Sequence, residues 1–207
     1  MLIEHGAIIP DGSFQNEARL VASWTKGEHM LPKTQKDIQT LFSKGHSVLI
    51  YDAQSHDGPL GHAAITATYP NNMIEVGTIV VPPEHRHKGI GSKATLAVLD
   101  LADSLFPGWG VFALANDQSA ALFEKIGAKP MSTGELCSEV WEFCATCPKL
   151  PNQTKGKPFI CCDVPYDITP LKNMAKQYLF SWLSANVWNS TGVDPARGEY
   201  DEPGCYR

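Results

Sequence analysis

Hydrophobic positions change period several times along the chain, and each change marks an element. Leu2-Ile3 and Ala7-Ile8-Ile9 predict a first strand, turned by Pro10-Asp11-Gly12. Phe14, Ala18, Val21 and Trp24 share one face at helical spacing, so a helix capped by Ser13 is expected to run to about Lys26, stopped by Gly27. A second helix is expected from about Pro32 to Gly45, with Ile38, Leu41 and Phe42 as its apolar face. Strand-like runs follow at 48–52, 63–68 and 74–81, separated by turn-rich 55–61 and Pro70-Asn71-Asn72. The period then returns to 3.6, and positions 90, 94, 97, 98, 101 and 105 form one apolar face of a helix ending near Phe106. A strand at 110–114, a helix from about 117 to 126, and strands near 129–133 and 138–144 complete the series.

The rest of the chain has a different texture. Residues 148–158 are polar, rich in Pro and Lys, and predict a surface loop; 159–164 predicts one more strand. Thr169-Pro170 opens a helix whose stripe is Leu171, Met174, Ala175, Tyr178, Leu179, Trp182, Leu183 and Val187. That stripe packs on the core, or, in the alternative, forms a homodimer surface. The division is therefore 1–145 as the main domain and 146–207 as a C-terminal extension packed on it, with the last twenty residues irregular.

Composition narrows the class. The chain has 207 residues, 43% hydrophobic and 19% charged, which suits a soluble globular domain with a sizeable core. No run approaches membrane-spanning length, and the N-terminus lacks a basic region before a hydrophobic one, so a cytoplasmic location and no membrane partner are expected. A net charge of −5 argues against a nucleic-acid partner and suits a cationic, amine-bearing substrate. Six cysteines fall at 137, 144, 147, 161, 162 and 205. Without a secretion signal they do not predict a disulfide framework. Cys144-x-x-Cys147 followed by Cys161-Cys162 has the look of a structural zinc site, but adjacent residues of a strand point to opposite faces. Buried thiols are the competing account, and no metal is assigned.

The densest chemistry lies at Arg86-His87-Lys88-Gly89-Ile90-Gly91-Ser92, between the apolar run 77–81 and the helix opening at Ile90. A helix N-terminus presents unpaired N–H groups and the positive end of the dipole, which is how backbone holds phosphate. Gly89 and Gly91 let the chain approach a ligand closely, and Arg86 and Lys88 add charge. A diphosphate-bearing ligand is expected here. The order of Ser92 and Lys93 is wrong for a P-loop, and no βαβ repeat supports a dinucleotide fold.

Arg-x-x-Gly-x-Gly resembles the acetyl-CoA pyrophosphate loop of the GCN5-related N-acetyltransferase (GNAT) superfamily. Downstream, Asn116 through Leu122-Phe123-Glu124-Lys125-Ile126-Gly127 resembles that superfamily's second signature, and upstream Glu75 stands where many members carry a general base. The resemblance covers about 1–145. It implies an α/β (α+β) fold: a GNAT-type mixed, mostly antiparallel twisted sheet flanked by helices, here with a C-terminal Cys-containing extension and helix. It implies acetyl-CoA as cosubstrate, its pantetheine arm entering a slot between the 79–81 strand and the one at 110–114. Val80 and Val81 would supply backbone contacts, with the Val81 N–H polarising the thioester carbonyl. His87, Lys88, Gly89, Ile90, Gly91 and Ser92 would hold the pyrophosphate, Arg86 would support the loop, Asn116 and Ser119 would face the pantetheine, and Phe123 would complete the cofactor site.

Two points stay open. Phe123 stands where many members have a tyrosine that protonates the departing thiolate, leaving water, Ser119, Tyr69 or Tyr166 as the acid, or no acid at all. The resemblance implies an N-acetyltransferase acting on a primary amine of a small molecule or peptide. The alternative is a non-catalytic acyl-CoA-binding sensor or adaptor.

Overall fold

Helices start where the chain supplies acceptors for otherwise free N–H groups, and the computed structural model, which describes residues 5–26, 30–52, 58–146 and 163–175, shows this from the outset. The first helix begins one residue later than a Ser13 cap implies, because Asp11 accepts from the Ser13 N–H at 2.8 Å and turns the chain there. The second begins at Gln35: Thr34 Oγ1 accepts from the Asp37 N–H at 3.2 Å while Asp37 Oδ2 accepts from the Thr34 N–H at 2.7 Å, a reciprocal cap.

The elements run β1 (His5–Ile8), α1 (Gln15–Trp24), α2 (Gln35–Ser43), β2 (Ser47–Asp52), β3 (Pro59–Tyr69), β4 (Met73–Val80), α3 (Ile90–Leu105), β5 (Gly110–Ala115), α4 (Asp117–Lys125), β6 (Lys129–Pro130) and β7 (Val164–Asp167). The seven strands form one sheet in the order β1-β2-β3-β4-β5-β7-β6. Every pairing is antiparallel except that of β4 with β5.

Strand alternation sorts the core onto the two faces. Val48, Ile50, Ala63, Ile65, Ile74 and Val76 pack with α3, joined by Phe123 and Ile126 at the end of the α4 region. Leu49 and Val80 pack with Ala18 and Val21 of α1 and with Ile38 and Phe42 of α2. Gly61 sits where β3 meets the start of α3: a Cβ there would lie 2.7 Å from Ile90 Cγ2, so only glycine fits this approach.

Several expectations are corrected. The segment expected as a strand at 138–144 forms 3₁₀ turns over Ser138–Thr146. Leu136 and Val140, four apart, bury together against Tyr69 and Phe112, and the place beside β5 belongs to β7. The strand expected over 129–133 is confined to Lys129–Pro130, with one more bond from the Met131 N–H to the Pro165 carbonyl at 2.9 Å; a reciprocal cap between Ser132 and Glu135 then bends the chain away. Pro170 lies in a 3₁₀ turn, Thr169–Leu171, that passes into helix at 172–175, the last described residues, but this start is not capped by Thr169. Its Oγ1 accepts from the Val111 N–H at 2.7 Å and so extends the sheet. Lys172 anchors the following turn, its buried ammonium donating to the Trp109 carbonyl at 2.6 Å and lying 3.2 Å from Asp103 Oδ1. Leu105, expected on the buried face of α3, is 45% exposed. Residues 176–187 of the C-terminal stripe and cysteines 147, 161, 162 and 205 lie outside the described residues, as does the Cys144 side chain. No helix among the described residues is long and apolar enough to cross a membrane.

Candidate active site

The site begins where two strands part. β4 and β5 pair only at Met73–Gly110, Ile74–Val111 and Glu75–Phe112, although β4 continues to Val80 and β5 to Ala115. Beyond Glu75 the ladder between them ends, leaving a slot in the middle of the sheet.

β4 also carries a bulge at this point. Its register against β3 passes from Ala64–Gly77 to His62–Val80, so one extra β4 residue is accommodated. Thr78 takes φ of +48°, a conformation that a β-branched residue adopts only when held. An extra residue reverses the alternation, which is why Val80 turns toward α1 and α2 while Ile74 and Val76 face α3. His62 is fully buried beside the bulge. Its Nδ1 lies 2.9 Å from the Thr78 carbonyl oxygen and its Nε2 3.2 Å from Ser47 Oγ. Burial pushes the imidazole pKa from 6.5 down to about 4.

The loop between β4 and α3 is braced by its own cations. Arg86 Nε donates to the Val81 carbonyl at 3.0 Å, and Lys88 Nζ donates to the Glu84 carbonyl at 3.0 Å. His87 and Gly89 are both left-handed, with φ of +61° and +79°. Gly89 is the N-cap of α3 and no side chain caps the helix there, so its first N–H groups face outward. They open onto a hollow of about 590 Å³. Val80, Val81, Arg86, His87, Gly89, Ile90, Gly91, Ser92, Asn116 and Ser119 line it, joining nearly all the loop residues singled out above. Lys88 does not line it. Trp24 and Met30 from the α1 end do, and no local pattern marks them. Lys125 also lines it, and its place within the second-signature segment was the available signal.

A smaller hollow of about 190 Å³ adjoins the first, and Met30, Ile79, Asn116 and Ser119 line both. Glu75, Thr78 and Phe123 belong to the smaller one, with Lys33 and Asp163. The Tyr69 hydroxyl donates to Glu75 Oε2 at 2.8 Å; burial and the neighbouring carboxylate hold the phenol well above its ordinary pKa. Asn116 and Ser119 build the shared rim by bonding each other. Asn116 Oδ1 accepts from the Ser119 N–H at 2.9 Å, and Ser119 Oγ accepts from the Asn116 N–H at 3.0 Å.

The sequence of residues 14–128 matches the model of the acetyltransferase (GNAT) family. The chain belongs to this family. Solved structures agree on the GNAT fold. Rv2747 from Mycobacterium tuberculosis, in complex with CoA, superposes with a TM-score of 0.58 at 16% identity, covering 78% of this chain and 96% of its own. A GNAT acetyltransferase from Staphylococcus aureus gives 0.54 at 15% identity, covering 79% and 98%. N-acetylglutamate synthase from Neisseria gonorrhoeae, complexed with coenzyme A and N-acetyl-glutamate, gives 0.58 at 15% identity over 78% of this chain; the match spans 34% of the synthase. Comparison with curated proteins finds no match.

Acetyl-CoA is the cosubstrate of this family, and the larger hollow suits its chemistry. It combines outward N–H groups, the positive end of a 16-residue helix, and Gly91 without a Cβ at the floor. Phe123 cannot donate a proton; it is buried and stacked on Tyr166, with ring centroids 5.6 Å apart. Tyr166 donates to Glu124 Oε1 at 3.0 Å and lines neither hollow, so it is placed in the core and not at the site.

Proposed function

We propose that this GNAT protein is an N-acetyltransferase that passes the acetyl group of acetyl-CoA to a primary amine by direct attack in a ternary complex. The observation that carries this is the junction of two hollows at Ile79, Asn116 and Ser119, one rich in phosphate-binding backbone, the other holding a carboxylate. Bound in the larger hollow, acetyl-CoA supplies the acyl group: the amine nitrogen forms the new C–N bond as the C–S bond breaks.

The chain's own residues do the rest. His87 through Ser92 hold the pyrophosphate through backbone N–H groups, while Arg86 and Lys88, bonded to carbonyls of the same loop, keep it in shape. Val80 and Val81 guide the arm along β4, and backbone N–H groups in this stretch polarise the thioester carbonyl. Glu75 takes the proton that an alkylammonium must lose before it can attack, directly or through water. The Tyr69 hydroxyl orients the Glu75 carboxylate. Ser119 is the hydroxyl on the shared rim, so it or water returns a proton to the departing thiolate. Glu75 and Asp163 in the smaller hollow suit a cationic acceptor, a small-molecule or peptide amine.

A second reading, an acyl-CoA sensor without turnover, is favoured by one observation, the buried Phe123 in place of a proton donor. Calorimetric titration of acetyl-CoA against wild type and Gly91→Glu, followed by CoA release across an amine panel, tests both. A Cβ at Gly91 meets Leu122 and Val81 side-chain carbons at ordinary contact distance, so the variant should fold, while its carboxylate enters the hollow. Affinity should fall by about a hundredfold or more, the loss of a charged ligand from its hydrogen-bond donors plus a like charge. Wild type that binds acetyl-CoA yet releases no CoA with any amine favours the sensor.

A further inference from the structure

His62 is a titratable side chain that the chemistry above leaves without a task. It is 0% exposed, 15 residues from Ser47 and 16 from Thr78, and it touches both. A carbonyl oxygen only accepts, so the 2.9 Å contact with Thr78 requires the proton on Nδ1. Nε2 is then the bare nitrogen, and Ser47 Oγ donates to it at 3.2 Å. The two bonds together define one neutral tautomer. The Phe42 ring, with its centroid 5.9 Å from that of the imidazole, closes the site from α2.

The carbonyl that His62 holds belongs to the strained residue of the bulge. At φ of +48° Thr78 is held against a steric cost of roughly 1–2 kcal/mol, and a buried hydrogen bond on its carbonyl is of the size needed to offset it. The peptide is trans and planar, so the Ile79 N–H faces the opposite way, away from the imidazole. Ile79 lies on the rim shared by the two hollows. The orientation of the Thr78–Ile79 peptide therefore sets how Ile79, Val80 and Val81 present their backbone to whatever lies in the slot.

We propose that His62 is a positioning residue: as a donor from Nδ1 to the Thr78 carbonyl it locks the β4 bulge, and so aims the 79–81 backbone at the carbonyl of the bound thioester. This rests on the acyl-CoA reading of the larger hollow. Its role is distinct from that of Glu75, which handles a proton, and from that of the loop, which handles phosphate.

The test uses no acceptor. [1-¹³C]acetyl-CoA is bound to the full-length protein, and the isotope-edited infrared band of the thioester carbonyl is compared with that of free acetyl-CoA, alongside calorimetric affinity. Wild type should bind and shift the band to lower wavenumber, the signature of a polarised carbonyl. His62→Leu, which fills the space but donates nothing, should bind within about threefold of wild type yet lose most of the shift. His62→Asn, whose amide nitrogen stands close to the position of Nδ1, should recover it. With an acceptor in hand, the same pair should separate in kcat by about ten- to a hundredfold with little change in the KM for acetyl-CoA. A His62→Leu band shifted as far as wild type overturns the proposal, as does a parallel loss of affinity and shift in both variants. Should His62→Leu not fold, the wild-type imidazole still decides: ¹⁵N spectra showing the proton on Nε2 instead of Nδ1 overturn the proposal. Wild type that binds no acetyl-CoA at all defeats the acyl-CoA reading itself, and the proposal with it.

Discussion

The two ends of β4 obey different rules. From Met73 to Glu75 the strand is paired on both edges, with β3 and with β5, and its own Ile74 and the neighbouring Phe112 are both fully enclosed. From Thr78 onward it keeps β3 on one side only, and its course is set by side chains bonded to its backbone: His62 on the Thr78 carbonyl and Arg86 on the Val81 carbonyl. Where a sheet uses all of a strand's hydrogen-bonding groups, none remain for a ligand. Breaking one ladder frees them, and the freed segment must then be held by other means.

That contrast can be broken or sharpened by experiment. Glu75→Gln, at the junction of the two halves, should lower kcat by about 100- to 1,000-fold while leaving acetyl-CoA affinity unchanged. Unaltered kinetics across pH would remove Glu75 from the chemistry. Next comes the price of the device behind the free half. His62 has its pKa pushed from 6.5 down to about 4 by burial, so between those values the unfolded chain carries a proton that the folded one does not. Stability should therefore fall as pH drops through that window, by about 1.4 kcal/mol per unit at its steepest. Denaturant titrations at several pH values should show this slope in wild type and a flatter one in His62→Asn; equal slopes would contradict it.

The paired half should respond in stability and not in rate. Lys172→Met removes the buried ammonium from Trp109 and Asp103, leaving the Trp109 carbonyl without that donor. A loss of about 2 kcal/mol is expected, several degrees in Tm, with kcat/KM unchanged. A variant of wild-type stability would show that Lys172 holds nothing. The smallest effect is expected for Tyr69→Phe, which deletes one hydrogen bond to Glu75, worth about fivefold in kcat. A drop as large as that of Glu75→Gln would instead make Tyr69 part of the proton transfer.

What could be read without the fold was local. Apolar period and caps located nearly every helix and strand up to residue 128, and the Arg86–Ser92 loop was legible as a candidate phosphate site because strand, glycines and helix N-terminus are contiguous. The failures were non-local. Residues 138–144 carry an apolar run that reads as a strand, yet the sheet position it would fill is taken by Val164–Asp167 from far along the chain. Thr169 before Pro170 looks like a helix cap, and in the fold it bonds Val111, 58 residues away.

Sequence by itself determined the family, the order of elements up to residue 128 and the glycine-bearing loop that opens α3, since each depends on neighbours within a few positions. Tertiary structure alone decided that β4 bulges at Thr78, that His62 and Ser47 brace the bulge, and that two hollows meet at Ile79. A strand's alternation looks the same with or without a bulge until its partner is known. The ladder with β5 and the imidazole that holds the strand beyond it come from residues distant in the chain, and only packing brings them to one place.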